Sequence, residues 1–219
     1  MGLALTTKEI ETMRNDLLGP RMVETFKKRH FDAWYFSNRE DALSHLFTLI
    51  PGEHVVSWGG SLTRETLGIQ QMLADRKYAV IDRDSAKDPG ERMELMRKAL
   101  TCDTFITGVN AISESGELVQ VDCFGNRVAA TLFGPKQVIV ITGMNKIVKT
   151  LKDAYQRARN VASPKNIHRL ANRKTLCLTT GVCGDCTSPD CMCTYVVTTR
   201  VSTPAGRIKI ILINENLGL

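Results

Sequence analysis

Short apolar segments alternate with amphipathic ones along most of the chain, and this alternation restricts the fold more than any other feature. The run QVIVITG (137–143) is apolar almost throughout, which is typical of a strand buried on both faces of a sheet. Strands separated by helices of about ten to fifteen residues form parallel sheets. The pattern therefore predicts an α/β fold of three layers, with a mostly parallel sheet and helices on both faces.

Apolar periodicity assigns the individual elements. Gly19 and Pro20 are expected to interrupt the first helix. Two C-terminal runs, YVVTTRVS and RIKIILIN, are predicted to pair as strands around the turn Pro204-Ala205-Gly206. The other predicted strands cover 33–36, 54–58, 78–82, 104–108, 116–122 and 137–143, and the predicted helices cover 7–30, 39–49, 62–75, 90–100 and 145–162.

Five of the seven cysteines lie between positions 177 and 193, in a loop ahead of the last predicted strands. Their spacing is Cys-x5-Cys-x2-Cys-x4-Cys-x-Cys, and the intervening Gly, Asp, Ser and Pro residues are typical of a loop rather than a packed element. Thiols this dense indicate a common stabilising partner. Disulfides, zinc and an iron-sulfur cluster are the candidates.

The redox environment separates these candidates. The N-terminus lacks the cleavage site of a secretory signal, and no apolar run approaches the roughly 18 residues of a membrane span, so a cytoplasmic location is expected. Thiols stay reduced there, which favours a metal over disulfides. The metal stays open between iron-sulfur and zinc, with a metal-free redox pair or inert cysteines as the alternative. Cys102 and Cys123 lie beside apolar segments and are predicted to fill the core.

The formal net charge of +6 and the pI of about 9.0 raise the question of nucleic acid binding. Basic residues are interspersed with acidic neighbours, as in the run ERME (91–94), and aromatic residues make up only 6% of the chain, which leaves few platforms for stacking bases. The composition therefore argues against nucleic acid. A mild positive field suits an anionic small molecule instead.

The segment SWGGSLTRETLG (57–68) predicts an anion site. Gly59 and Gly60 follow a predicted strand, and Ser61 or Thr63 can cap the next helix. Bare backbone N–H groups and the positive end of a helix favour an anion there. A plain tight turn is the alternative, since neither GxxxxGK[ST] nor GxGxxG occurs in the segment.

A second segment, Thr107–Lys146, places polar and cationic side chains near predicted strand ends. Ligands bind at the ends of parallel strands in α/β folds. The segment therefore predicts Asn110, Lys136, Asn145 and Lys146 as further ligand-binding residues.

Several separated motifs, taken in order, resemble one known family. They are GGSLTRETLG, TGVNAISESGELVQVD, GNRVAATLFGPKQVIVITGMNKIV, the cysteine loop and the terminal ILINENLGL. Together they resemble the LUD domain, the lactate-utilization-protein C family of bacteria, over residues 5–219. The resemblance implies a single domain over 1–219 and the three-layer fold shared with sugar-phosphate isomerases, deaminases and coenzyme A transferases. It also implies a link to oxidation of L-lactate, a 2-hydroxy acid, in the company of iron-sulfur partner proteins.

The same resemblance implies a set of metal ligands. In similar proteins the loop reads Cys, then Gly-x-Cys-x-Asp-Cys-x-Ser-Pro-x-Arg-x-Cys, which maps onto Cys177, Cys183, Cys186 and Cys193. Cys191 stands where the arginine would be. Which four of the five thiols bind a metal therefore stays open.

The turn Ser113-Glu114-Ser115-Gly116 is similar to the Ser-Glu-Asn-Gly turn that carries the nucleophilic glutamate of some coenzyme A transferases. Glu114 is therefore a candidate catalytic residue for attack on an acyl thioester, and an ordinary hairpin turn is the alternative. Two functions remain. The first is a component of lactate oxidation whose cysteine loop holds a metal centre, and the second is a stand-alone acyl-transferase or sugar-phosphate-type enzyme with structural zinc. Whether the chain is an enzyme stays open.

Overall fold

The structure is a computed structural model that describes residues 4–170 and 173–219. The predicted domain covers 1–219, so residues 1–3 and 171–172 of it lie outside the description. Within the described residues, no helix combines the length and the apolar character needed to cross a membrane.

Strands and helices alternate along the described chain. The strands are β1 (Asp32–Phe36), β2 (Val56–Trp58), β3 (Val80–Ile81), β4 (Thr104–Thr107), β5 (Ala111–Ser113), β6 (Leu118–Asp122), β7 (Gln137–Gly143), β8 (Ile147–Val148), β9 (Tyr195–Thr199) and β10 (Ile208–Ile213). The helices are α1 (Thr7–Lys28), α2 (Arg39–Thr48), α3 (Leu62–Thr66), α4 (Ile69–Asp75), α5 (Pro89–Lys98), α6 (Asn126–Leu132), α7 (Leu151–Arg157), α8 (Ser163–Ile167) and α9 (Leu176–Thr180).

Six of these strands form the main sheet in the order β1-β10-β7-β4-β2-β3, and each neighbouring pair is parallel. The central strand β7 divides the core. Val138 and Val140 pack on the side of α1 and α6, whereas Ile139 and Ile141 pack on the side of α2 and α4. The predicted fold, a parallel sheet between two layers of helices, is confirmed.

A smaller sheet of four strands, in the order β8-β5-β6-β9, lies beside the main one. β5 pairs with β8 in parallel and with β6 in antiparallel orientation. Ala154 of α7 covers this sheet, packing with Ala111 and Val119. The sequence predicted the strand that became β6 but no second sheet.

The predicted pairing of the two C-terminal strands is wrong. β9 adds to the small sheet, where Thr198 lies opposite Val119, while β10 enters the main sheet between β1 and β7. Burial is the physical reason. Five of the six residues of β10 are buried, which requires a strand on each edge and helices on both faces. A two-stranded hairpin supplies neither.

The first helix is not interrupted as predicted. α1 continues through Gly19 and Pro20, although proline removes one backbone hydrogen bond. Met22 and Phe26 on the following turns are fully buried in the core, and the ring of Tyr35 fills the space that a Cβ on Gly19 would need. Tertiary packing therefore outweighs the local cost of the proline.

Two other predicted helices are divided. The segment 62–75 breaks at Gly68, whose φ of +64° favours glycine. The segment 145–162 begins as β8, because Ile147 pairs with Ile112 of β5. A capping box at Thr150 then starts α7, and a π turn over 158–162 leads into α8.

The parallel strands of the main sheet all end at one edge, which we call the carboxyl edge. β2 is followed there by Gly59 and Gly60, β4 by Gly108, and β7 by the short turn Met144–Lys146. The C-terminal segment after β10 reaches the same edge, since the amide of Leu217 bonds the side chain of Asn145 at 3.2 Å. This edge therefore gathers the segments that the sequence analysis singled out.

Substitution of Gly143 by Ala is expected to destabilise the fold at this edge. A Cβ would collide with the backbone carbonyl of Glu215 and lie 2.8 Å from the backbone nitrogen of Leu217. Because backbone atoms cannot rotate away, we expect a loss of roughly 1 to 3 kcal/mol in the free energy of unfolding, measured by urea denaturation. Gly52→Ala is the control, because its Cβ would meet nothing within 4 Å. Equal losses in the two variants would contradict this account.

Candidate functional site

A cavity of about 480 Å³ opens at the carboxyl edge of the main sheet. Its volume lies within the range of small-molecule sites, about 300–1,000 Å³. Cationic side chains outnumber carboxylates on its walls, which suits an anionic ligand. The cations are Arg83, Arg92, Arg127, Lys146, Arg169 and Arg173, and the carboxylates are Glu65, Asp84 and Asp122.

Two glycines let arginines approach the loop after β2. A Cβ on Gly59 would lie 2.9 Å from the side chain of Arg127, and a Cβ on Gly60 would lie 2.5 Å from Nη2 of Arg83. Ser61 caps α3 by accepting from the backbone N–H of Arg64 at 3.4 Å, but α3 has only five residues. The positive charge at this loop therefore comes from the guanidinium groups more than from the end of a helix.

Asp84 organises the arginines on one wall. Its carboxylate accepts from Nη2 of Arg92 at 2.9 Å and from the indole N–H of Trp58 at 3.4 Å, and Nη2 of Arg64 lies 3.5 Å away. Burial acts to raise the pKa of this carboxyl group. The charge of Arg83 and the bonds from Arg92 and Trp58 outweigh burial, so the pKa lies below its ordinary value. Asp84 is therefore ionised at neutral pH.

Arg127 is held in place by neighbouring oxygen atoms. Its Nε donates to the carboxylate of Asp122 at 3.2 Å, and its Nη2 donates to the backbone carbonyl of Val121. The side-chain oxygen of Asn110 lies 3.4 Å from the same Nη2. A guanidinium that is held in this way before a ligand arrives loses little freedom on binding.

Lys146 is the buried cation of the cavity, with 3% of its surface exposed. Its ammonium donates to Oγ1 of Thr63 at 3.3 Å. Burial, together with the charges of Arg157 and Arg127, lowers the pKa of Lys146 to about 7. A substantial fraction of this amine is therefore uncharged at neutral pH.

The structure brings most of the predicted ligand-binding residues to this cavity. Gly60, Ser61, Asn110 and Lys146 line it directly. Thr63 stands behind them as the hydrogen-bond partner of the lysine.

Gly59 and Asn145 do not line the cavity, but they contact groups at its edge. Gly59 makes room for the side chain of Arg127. Asn145 accepts the amide N–H of Leu217 and so fixes the C-terminal segment beside the cavity. Both residues therefore help to position neighbouring groups and do not themselves form the cavity wall.

Lys136 and Glu114 lie elsewhere. Lys136 precedes β7 at the opposite, amino edge of the sheet, where its side chain pairs with Asp103 at 2.7 Å. Glu114 lies in the turn between β5 and β6 and accepts from Lys149 at 2.7 Å. Neither is among the described residues that line the cavity. The structure does not bring these two side chains to the other predicted site residues.

Sequence reasoning missed several of the cavity arginines. Arg83 follows β3 at the carboxyl edge, and the rule for strand ends could have identified it. Arg169 follows α8 and reaches Glu65 at 3.0 and 3.1 Å, across more than a hundred residues of sequence. No local pattern in the sequence signals that contact.

A second, smaller cavity of about 20 Å³ lies within the cysteine loop 177–193. The guanidinium of Arg159 borders it and donates to Sγ of Cys183 at 3.4 Å and to Asp185 at 2.5 Å. All five cysteines of the loop line this cavity, namely Cys177, Cys183, Cys186, Cys191 and Cys193.

These thiols converge without closing around an ion. The seven cysteines of the chain are free, and the described residues contain no group of three or more His, Cys, Asp or Glu side chains that could hold a metal as they stand. Burial raises the pKa of Cys193 and of Cys191. The donor chemistry fits a soft metal, whereas the positions of the sulfur atoms would have to tighten to bind one.

Cys102 is buried as predicted, but Cys123 does not fill the core. Cys123 is half-buried, lines the larger cavity and donates from Sγ to the carbonyl of Cys191 at 3.3 Å. The reason is its position one residue beyond the end of β6, where the chain leaves the apolar face. A sixth thiol thus borders the cysteine loop.

The two cavities are neighbours. Ser163 and Met192 line both of them. The hydroxyl of Ser163 also donates to the carbonyl of Ala158 at 2.8 Å, which ties this shared wall to the π turn ahead of α8. A ligand in the larger cavity would therefore lie close to the cysteine cluster.

The chain belongs to the LUD-domain family, whose model matches residues 20–213. This family, which is associated with lactate utilization, is the one that the sequence motifs resemble. No curated protein matches the sequence.

Three solved structures are similar to this chain. A DUF162 family protein from Deinococcus radiodurans matches 97% of this chain over 100% of its own, with 10% identity and a TM-score of 0.47. Ribose 5-phosphate isomerase from Plasmodium falciparum matches 51% of this chain over 52% of its own, with 16% identity and a TM-score of 0.33. eIF2B beta from Chaetomium thermophilum matches 52% over 44%, with 17% identity and a TM-score of 0.38.

Lys146→Met is expected to stabilise the fold at neutral pH. The pKa of Lys146 is about 7 in the folded chain against an ordinary 10.5, so the unfolded chain binds more protons between these values. Stability of the unchanged protein therefore rises with pH across this window, and the Met variant lacks that rise. We expect a gain of roughly 2 to 4 kcal/mol in urea unfolding near about pH 7, shrinking towards about pH 10.

The exposed Lys149 offers a matched control, since 76% of its side chain is accessible to solvent. Lys149→Met should change stability by less than about 1 kcal/mol at either pH. A gain from Lys146→Met that stays constant over the whole pH range would contradict the proton linkage.

Proposed function

We propose that this chain takes part in the utilization of L-lactate or a related 2-hydroxy acid. In this proposal it binds a small carboxylate in the larger cavity and a metal centre, an iron-sulfur cluster or zinc, in the cysteine loop. Family membership supports the metabolic setting. One observation carries the proposal: the cationic cavity and the cluster of five thiols share Ser163 and Met192 as a common wall.

The charges of the cavity support a carboxylate ligand. Asp84 and Asp122 are engaged with arginines of the same walls, and Glu65 pairs with Arg169. Lys146 and Arg173 have no carboxylate partner among the ion pairs of the described residues. A bound carboxylate would provide the missing negative charge through charge-assisted hydrogen bonds.

The donor set of the cysteine loop supports a metal centre. Thiolates are the ligands that zinc and iron-sulfur clusters take in proteins. Zinc would supply a structural cross-link, and an iron-sulfur cluster would supply electron transfer with iron-sulfur partner proteins. The present space of about 20 Å³ is roughly that of one ordered water, so a single ion needs less rearrangement than a cluster. Cys177, Cys183, Cys186 and Cys193 are the proposed ligands, with Cys191 as a fifth donor.

A stand-alone acyl-transferase or sugar-phosphate-type enzyme with a structural zinc loop is the second candidate. The cationic cavity supports the sugar-phosphate form, because arginines bind phosphate as well as carboxylate. The acyl-transferase form has less support, since Glu114 lies outside the cavity lining and bonds Lys149.

Arg92→Gln is expected to weaken binding of a small anion by about tenfold or more, because it removes one charge from the cavity wall. Asp84 keeps Arg64, Arg83 and Trp58 as neighbours, so the wall should keep its fold. Titration calorimetry with L-lactate, pyruvate and inorganic phosphate measures the effect. Stronger binding of phosphate than of either carboxylate would favour the second candidate.

Arg97→Gln is the matched control for this experiment. Arg97 belongs to the same helix α5 and forms an ion pair with Glu94, but it is exposed and lies outside the cavity lining. Its loss should leave anion affinity within about twofold, as for an exposed pair. Equal losses in the two variants would mean that the cavity is not the binding site.

The protein purified without oxygen is expected to carry iron with sulfide, or else zinc, in near-stoichiometric amount. Joint replacement of Cys183 and Cys186 by Ser should release the metal, because sulfur supplies the binding energy. Metal analysis and the absorption spectrum of one sample distinguish the two metals. Cys102→Ala, in the core and away from the loop, should keep the metal. If the unchanged protein binds neither metal after reconstitution, the metal proposal is wrong.

A further inference from the structure

Lys146 has a chemical capacity that anion binding alone does not use. Arginines already supply most of the positive charge of the cavity, and a lysine added for charge alone would be more effective in its ionised form. This lysine is instead buried beside Arg127 and Arg157, which disfavours its charged form. Desolvation next to another cation is a known way to make a lysine amine nucleophilic at neutral pH.

The surroundings of the amine leave it open to the cavity. Lys146 ends the short turn after β7, and its Nζ donates one hydrogen bond to Oγ1 of Thr63 in α3. Gly218 provides space next to it, since a Cβ there would lie 3.3 Å from Nζ. The described residues place no carboxylate within ion-pair distance of this nitrogen. An uncharged amine thus faces a cavity that is otherwise cationic.

We propose that Lys146 is a catalytic nucleophile that forms an imine with the carbonyl carbon of a small 2-oxo acid, whose carboxylate is held by the cavity arginines. The inference rests on the proposed anion site and assigns it a substrate class. A 2-oxo acid is the two-electron oxidation product of a 2-hydroxy acid, so it belongs to the same chemistry.

The step balances without an oxidant or a reductant. The lone pair of Nζ forms a bond to C2 of the 2-oxo acid, and the π electrons of the carbonyl move to its oxygen. That oxygen takes up a proton while nitrogen loses one, which gives a carbinolamine. The hydroxyl of the carbinolamine then takes up a proton from solvent and leaves as water, while the nitrogen lone pair forms the C=N bond of a protonated imine. The protonated imine is a cation, and the neighbouring carboxylate of the substrate offsets its charge.

Reductive trapping tests this inference on the full-length protein. Pyruvate and sodium cyanoborohydride are added near about pH 7, and the adduct is located by intact mass and peptide mapping. We expect one captured pyruvate per chain, on Lys146. Exposed lysines such as Lys149 and Lys136 should react at least about a hundredfold more slowly, because contact with water favours the charged form of an amine, which is not nucleophilic. Inorganic phosphate should slow the labelling by competing for the arginines.

Two variants and a second probe make the result decisive. Lys146→Met should abolish the adduct and should unfold at the same or a higher temperature than the unchanged protein, whereas Lys149→Met should leave the adduct unchanged. If calorimetry detects binding of pyruvate but no adduct forms on Lys146, the proposed imine is wrong and the proposed anion site stands. Labelling of Lys146 by acetaldehyde but not by pyruvate would overturn the 2-oxo-acid assignment together with the anion site. Adducts spread evenly over exposed lysines would overturn the special reactivity of Lys146.

Discussion

The parallel pairing of β7 with β10 is the interaction on which the rest of the structure depends. Both strands are buried on two faces, and their register runs from Ile208 opposite Val138 to Ile213 opposite Gly143. The two strands are far apart in sequence, so the chain between them must leave the carboxyl edge and return to the amino edge. That excursion carries α7, α8 and the cysteine loop over the carboxyl edge. The excursion therefore supplies part of the cavity wall, including Ser163, Arg169 and Met192.

Charge at this edge explains why the cavity suits a ligand. A folded chain seldom buries cations without partners, because desolvation disfavours the charged form. Here Asp84 and Asp122 offset part of the positive charge. Burial, together with the charges of Arg157 and Arg127, lowers the pKa of Lys146. The proposed anion would offset the electrostatic cost of this arrangement when it binds. The proposed binding of an anion and the proposed reactivity of the lysine would thus have one electrostatic cause.

Much of the fold followed from the sequence, because apolar runs such as QVIVITG encode burial locally. The strand partner of β10 could not be predicted from the sequence. The choice between the nearby β9 and the distant β7 depends on which sheet can bury both faces of β10. The site shows the same division. Lys136 and Lys146 both flank β7, but seven residues of strand, at about 3.3 Å each, put roughly 20 Å between its ends. The direction of β7 alone would have shown that the two lysines lie at opposite edges of the sheet. The place of Arg169 in the cavity depends on its long-range contact with Glu65, which no sequence pattern encodes.

The π turn over 158–162 explains how the cysteine loop comes to border the cavity. A π turn inserts one extra residue into a helix and turns the following side chains. At the start of this turn Ala158 packs on the small sheet, and the next residue, Arg159, reaches Cys183. Ser163, the next residue after the turn, closes the wall between the cavity and Cys193. A regular helix would direct Arg159 and Ser163 differently. The shared wall formed by Ser163 and Met192 places thiols and cations next to each other, and this adjacency is the observation that supports the proposed joint role of the two sites.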